Sequence, residues 1–186
     1  MVSENHLISA DLIYPIFLIE GKKRRQRISS MPGIERMTVD EAIKELSNLY
    51  ELGLIYDVDE FGEGGVDSWS VMHDPANSGK MIVLDDTNNN IVNTAIYLGM
   101  DNPYNLSEAE MEQVKQKLIE QKQLVRTYYA GFEEGNQIFD GGGISLMFSM
   151  GEFQEKALQD MGHNVKYIIP KEGGIGWLDT LSLIHI

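Results

Sequence analysis

Two short groupings among the 186 residues have the side chains to hold a ligand. The first is Asp85-Asp86, which follows the run Lys80-Met81-Ile82-Val83-Leu84 and precedes the stretch Asn88 to Leu98. The run reads as a short buried strand and the stretch as a helix. Carboxylates at such a junction stand at the carboxyl edge of a sheet, where α/β proteins bind ligands. The competing structural reading makes Asp86 the helix cap. The second grouping is Trp177-Leu178-Asp179, after the glycines Gly173, Gly174 and Gly176. An aromatic and a carboxylate two residues apart share one face of a strand. A flat π surface beside a carboxylate suits a cation with an apolar stem. The plainer alternative puts Trp177 in the core and pairs Asp179 locally.

Other groupings carry less. His6, His73, His163 and His185 are scattered and lack metal-ligand spacing, so no metal site is expected. Gly62-Glu63-Gly64-Gly65 and Gly141-Gly142-Gly143 match neither a dinucleotide fingerprint nor a phosphate-binding loop and read as turns. Lys171 lacks the following Ser/Thr and helix of a phosphate loop. The cluster Lys22 to Arg27 reads as a solvated loop. No cofactor is implied. With no cysteine, thiol catalysis, disulfide frameworks and Cys-ligated zinc are ruled out. A net charge of −14 speaks against nucleic acid or an anionic membrane as partner.

The elements that must position these residues follow from periodicity. Leu12 to Ile19 is a nearly continuous apolar run and reads as a buried strand, interrupted by Pro15. A turn at Ser29 to Gly33 follows. Thr38 and Glu41 then form a capping box ahead of a helix through Tyr50, with Gly53 as its C-terminal cap. Beyond Gly53, a second capping box at Ser107 and Glu110 predicts a helix to about Gln123. Helices are also expected over Phe132 to Phe139 and Gly151 to Met161, and strands over Ile144 to Phe148 and Val165 to Ile169. Alternating strands and helices imply an α/β layer architecture. No run approaches the roughly 18 apolar residues of a membrane span, and no export signal is recognisable.

Residues 54–180 resemble the spermidine/putrescine-binding periplasmic proteins, the solute receptors of polyamine ABC transporters. The resemblance is carried by Ile169-Pro170-Lys171-Glu172-Gly173-Gly174-Ile175-Gly176-Trp177-Leu178-Asp179-Thr180. Further support comes from Ile55-Tyr56-Asp57, Val66-Asp67-Ser68-Trp69, and Met81 to Asp86 running into Ala95 to Gly99. It implies a partial type II periplasmic-binding-protein lobe that binds a ligand and catalyses nothing. Asp86 falls on a carboxylate that receives a polyamine ammonium, Trp177 on an indole that packs on the methylene chain, and Asp179 on a second carboxylate. Phe148 falls near a further aromatic of the family, where the alignment slips by one. Asn89 stands where some members carry another acid. The implied partners are a polyamine and the permease subunits of an ABC transporter, and the implied location is the periplasm or cell surface.

Residues 8–54 resemble a different family, delta-aminolevulinic acid dehydratase (porphobilinogen synthase). Asp11-Leu12-Ile13-Tyr14-Pro15-Ile16-Phe17, Glu20-Gly21, Ser29-Ser30-Met31-Pro32-Gly33 and Arg36 carry it. The resemblance implies the first strand, loop and helix of a TIM barrel. The family's Schiff-base lysines and zinc ligands lie further along its chain, and Lys22 and Lys23 are not among them. A complete barrel needs about 250 residues. Leu181 to Ile186 looks like the translated end of a sequencing-library adapter. The expected organisation is therefore a dehydratase-like fragment over 1–54, a polyamine-receptor-like second lobe over 55–180 and an artefactual tail over 181–186. Together they read as a chimeric open reading frame. Charge follows the same division: residues 1–54 carry a net of −1 and residues 55–186 a net of −13.

Overall fold

A computed structural model describes residues 17–46 and 51–176, which fall in two compact units, one within Met1–Leu49 and the other spanning Tyr50–Trp177. The tail Leu181 to Ile186 lies outside the described residues.

In the first unit, β1 (Phe17–Leu18), β2 (Arg25–Arg27) and β3 (Glu35–Met37) form a small sheet in the order β1-β3-β2, followed by α1 (Val39–Leu46). Two expectations change. The basic cluster is not wholly loop, because Arg25–Arg27 pairs antiparallel with β3 around the turn at Ser29 to Gly33. Alternating cations on β2 can face water because only β3 borders them. Of the run read as a buried strand, residues 17–19 are described; Phe17–Leu18 is a strand and Leu18 is 49% exposed. The Thr38 hydroxyl accepts from the Arg24 amide at 3.2 Å and donates to its carbonyl, tying the start of α1 to the chain before β2.

The second unit holds the larger core. Its sheet runs β6-β5-β7-β4-β8, where β4 is Glu51–Asp57, β5 Met81–Leu84, β6 Val125–Tyr129, β7 Leu146–Ser149 and β8 Val165–Ile168. β5 is parallel to β6 and β7, whereas β4 is antiparallel to β7 and β8. A two-residue β9 (Ile175–Gly176) continues the pairing along the first residues of β4. β5, β6, β7 and β8 thus end at one edge. Buried on both faces, β5 and β7 are apolar almost throughout, as internal strands of such sheets are.

Helices α2 (Val58–Phe61), α3 (Thr87–Tyr97), α4 (Glu108–Lys122), α5 (Phe132–Asp140) and α6 (Phe153–Asp160) connect the strands. The Ser107–Glu110 capping box is formed, with both reciprocal hydrogen bonds present. Side chains sort by strand alternation. Tyr129 and Met147 face α5, where Gly135 leaves room for them: a Cβ there would stand 2.7 Å from both. Val83 and Phe148 face the other way, toward α3, α4 and a 3-10 helix over Trp69–His73.

Gly53 is a correction. It caps no helix but lies inside β4, opposite Ser149. A Cβ at this position would stand 2.4 Å from the Tyr167 ring and 2.6 Å from the Ile168 carbonyl. The strand needs glycine for close approach, a demand that local helix periodicity does not reveal. β4 and β6 were likewise not predicted as elements. No closed barrel is formed among the described residues; the α/β class is as expected.

Candidate functional site

The carboxyl edge of the parallel strands is built around the turn from β5 into α3. The Asp85 amide donates to the Tyr129 carbonyl at 2.8 Å, which prolongs the β5–β6 pairing by one residue. Asp86 leaves the strand with extended backbone and becomes the N-cap of α3. Its Oδ1 accepts from the Asn89 amide and its Oδ2 from the Asn89 side-chain Nδ2, each at 3.0 Å. The capping role is therefore real. It does not exhaust the group, since an ionised carboxylate offers about four acceptor sites. Asp86 is half-buried and Asp85 exposed. The neutral Asn89 is used in orienting Asp86.

Tyr128, on β6, joins this edge. It pairs in register with Val83, two residues before Asp85, so the phenol and the Asp85 carboxylate share a face. Partial burial, then the negative charge of Asp85, raises the phenol pKa above its ordinary value. Sequence reasoning missed Tyr128 because Val125–Tyr129 was not assigned a strand; its β-branched and aromatic residues, Val125, Thr127, Tyr128 and Tyr129, were the available signal.

Phe148 is 2% exposed and meets Trp69 edge-on, with ring centroids 5.3 Å apart. Behind it lies a buried polar network that the sequence did not disclose. The Tyr129 hydroxyl donates to the Phe148 carbonyl at 2.6 Å. Gln154 Oε1 accepts from the Ser149 hydroxyl and the Met150 amide, at 2.9 and 2.7 Å. Gln154 Nε2 donates to Asn136 Oδ1. These bonds fix the loop by which the chain leaves β7 at the carboxyl edge.

The Pro170-Lys171-Glu172-Gly173-Gly174 segment is held by the Val66-Asp67-Ser68-Trp69 segment. Glu172 receives a hydrogen bond from the Ser68 hydroxyl and another from the Trp69 amide at 3.3 Å. The Trp69 indole donates to the Gly173 carbonyl at 2.8 Å. Lys171 pairs with Asp67 at 3.2 Å. Gly173 has φ +106°, and a Cβ on Gly174 would stand 2.8 Å from the Leu52 carbonyl. The two motifs form a single clamp that delivers β9 against β4. Trp177 and Asp179 lie just beyond β9, outside the described residues, as do His6 and His185.

His73 stacks on Tyr97 at 4.3 Å, and burial lowers its pKa to about 4 with help from the Lys117 charge. His163 pairs with Asp140 at 2.9 Å. Among the described residues no cluster of three His, Asp or Glu is arranged to hold a metal ion. No described helix is long and apolar enough to cross a membrane.

Comparison with known proteins also gives two different sets of matches. A family model for delta-aminolevulinic acid dehydratase matches residues 1–78. The dehydratase of Bradyrhizobium diazoefficiens is 50% identical over 52 residues, covering 28% of this chain and 15% of that protein. That of Methanothermus sociabilis is 48% identical over 54 residues, covering 29% and 17%. The structural matches are different. The spermidine/putrescine ABC transporter substrate-binding protein of Streptococcus pneumoniae aligns with a TM-score of 0.58 at 14% identity, over 67% of this chain and 37% of that one. The TpPotD lipoprotein of Treponema pallidum aligns with a TM-score of 0.54 at 16% identity, over 67% and 38%. The periplasmic binding protein MotA of A. tumefaciens, solved with glucopine, aligns at 0.54 and 18%, over 64% and 38%. The chain joins parts resembling two unrelated families. It spans about one sixth of the dehydratases it matches and under two fifths of the binding proteins. The second match shows a periplasmic-binding-protein fold.

Proposed function

We propose that the second unit is a solute-capture lobe for a small organic cation of the polyamine class, working with an ABC importer outside the cytoplasm. The observation that carries this reading is Asp86, a half-buried carboxylate oriented by Asn89 at the carboxyl edge of a binding-protein sheet. Asp85 and Tyr128 on the same edge add charge and an aromatic surface. The family resemblance assigns an indole face to Trp177 and a second carboxylate to Asp179 for the same class of ligand. The action is capture and not catalysis: carboxylates neutralise ammonium ends and aromatic faces cover the alkyl stem. In binding proteins of two lobes such contacts close by a hinge.

Calorimetric titration of the full chain with putrescine and spermidine tests the reading. Binding heat that disappears in Asp86→Asn and in Trp177→Ala supports it. Heat that is equal for all diamines, unchanged in both variants and abolished by salt would reduce it to diffuse attraction by an acidic surface. The 50% identity of the first 52-residue match favours a second reading, an incomplete porphobilinogen synthase. That reading requires porphobilinogen to form from aminolevulinate in a colour assay, and none is expected from a segment too short for the barrel.

A further inference from the structure

Behind the proposed binding edge, the sheet face carrying Val83 and Phe148 meets α3, α4 and the Trp69–His73 helix around a small cavity of about 10 Å³. Its lining is unusually polar for the inside of a small domain. Asn90, Asn93 and Thr94 come from α3 and Gln121 from α4, facing Trp69 and Phe148. Asn93 is 8% exposed, and its Oδ1 is fully buried without a hydrogen-bond partner among the described residues. None of the bonds made by the neighbouring side chains goes to Asn93 Oδ1, and one N–H of each nearby amide is used elsewhere. Asn90 Nδ2 donates to the Leu84 carbonyl at 2.8 Å, Gln121 Nε2 to the Met72 carbonyl at 3.3 Å, and the Trp69 indole to Gly173.

We infer that this cavity is a binding site for one structural water molecule, which donates a hydrogen bond to Asn93 Oδ1. Three features agree. A buried acceptor without a donor forfeits its solvation, and native interiors satisfy such atoms through protein or ordered water. The volume matches the roughly 10–15 Å³ that a single water requires, so nothing larger fits. A water needs two to four polar neighbours, and Asn90, Thr94 and Gln121 put further polar side chains on the same wall. An apolar cavity of this size would stay dry. The site joins α3, α4 and the Trp69 helix beneath the turn that carries Asp86, since Asn90 also holds the last carbonyl of β5. It is independent of the proposed ligand and stands whether or not a polyamine binds.

The test is a high-resolution crystal structure of the full chain alongside its Asn93→Leu variant, in which a near-isosteric apolar side chain removes the acceptor. The expected result is a density peak about 3 Å from Asn93 Oδ1 with a second polar contact, absent from the variant. Magnetic relaxation dispersion of solvent water gives a readout in solution: the variant should hold one fewer long-lived water. A cavity without density, a peak at cation–oxygen distances, or an Asn93 amide bonded directly to protein would each overturn the inference. An unchanged dispersion amplitude in a folded Asn93→Leu variant would do the same.

Discussion

Asp86 holds two roles that substitution can separate. Asn and Asp are about equally good N-caps, whereas Ala removes the cap at a cost of about 1 kcal/mol. Asp86→Asn should therefore leave the urea midpoint nearly unchanged while removing polyamine binding. Asp86→Ala should lose both. If Asp86→Asn binds as tightly as the parent, the carboxylate is a cap alone. His73 makes a second prediction at this scale. Its folded pKa of about 4 lies below the ordinary 6.5, so the unfolded chain takes up the proton first as pH falls. Its contribution is complete above pH 6.5 and is lost as pH drops toward 4, by up to about 3 kcal/mol. His73→Phe keeps a ring on Tyr97 and cannot titrate. Denaturant melts of the two proteins should diverge below pH 6.5, and parallel curves would refute the assignment.

Among the elements, local signals revealed helices better than strands. The Ser107–Glu110 box and the Asp86 junction were legible because a cap is written in adjacent residues. β4 was misread at Gly53 because its reason for being glycine, the Tyr167 ring and the Ile168 carbonyl, comes from residues over a hundred positions away. The polar network of Tyr129, Ser149, Gln154 and Asn136 was hidden for the same reason. The motif Pro170 to Gly174 was visible, but its work was not: Glu172 and Lys171 bind the Asp67–Trp69 segment. Glu172→Ala should cost about 1–3 kcal/mol by leaving the Ser68 and Trp69 donors unmatched. Lys171→Ala should cost under about 1 kcal/mol, because its pair with Asp67 is exposed. Chemical denaturation distinguishes the two, and equal losses would mean that the clamp is not centred on Glu172.

For the whole molecule, the core and the ancestry divide differently along the chain. Among the described residues of the first unit, Met37 and Ala42 are the buried hydrophobic side chains, whereas the large core cluster lies wholly within the second. Native-state hydrogen exchange should therefore protect β4, β5 and β7 strongly and β1 to β3 weakly. Comparable protection in both would show that the first unit has a core of its own. The dehydratase match reaches residue 78, well into a unit with a binding-protein fold. The chimeric reading makes a prediction in the source DNA. Amplification across codons 45–65 should fail while each half amplifies alone. A product of the expected length would instead establish the fusion in a genome.

β4 lies between strands that come from the end of its unit. The ribosome must add residues 58–145 before β7 can pair with it, and β8 and β9 emerge later still. At typical elongation rates that is a delay on the order of ten seconds. Throughout it, the apolar segment Leu52 to Tyr56 has neither of its neighbours. A nascent chain of this kind depends on whatever shields that strand during synthesis, and a message cut short before codon 146 leaves the strand with no neighbour at all.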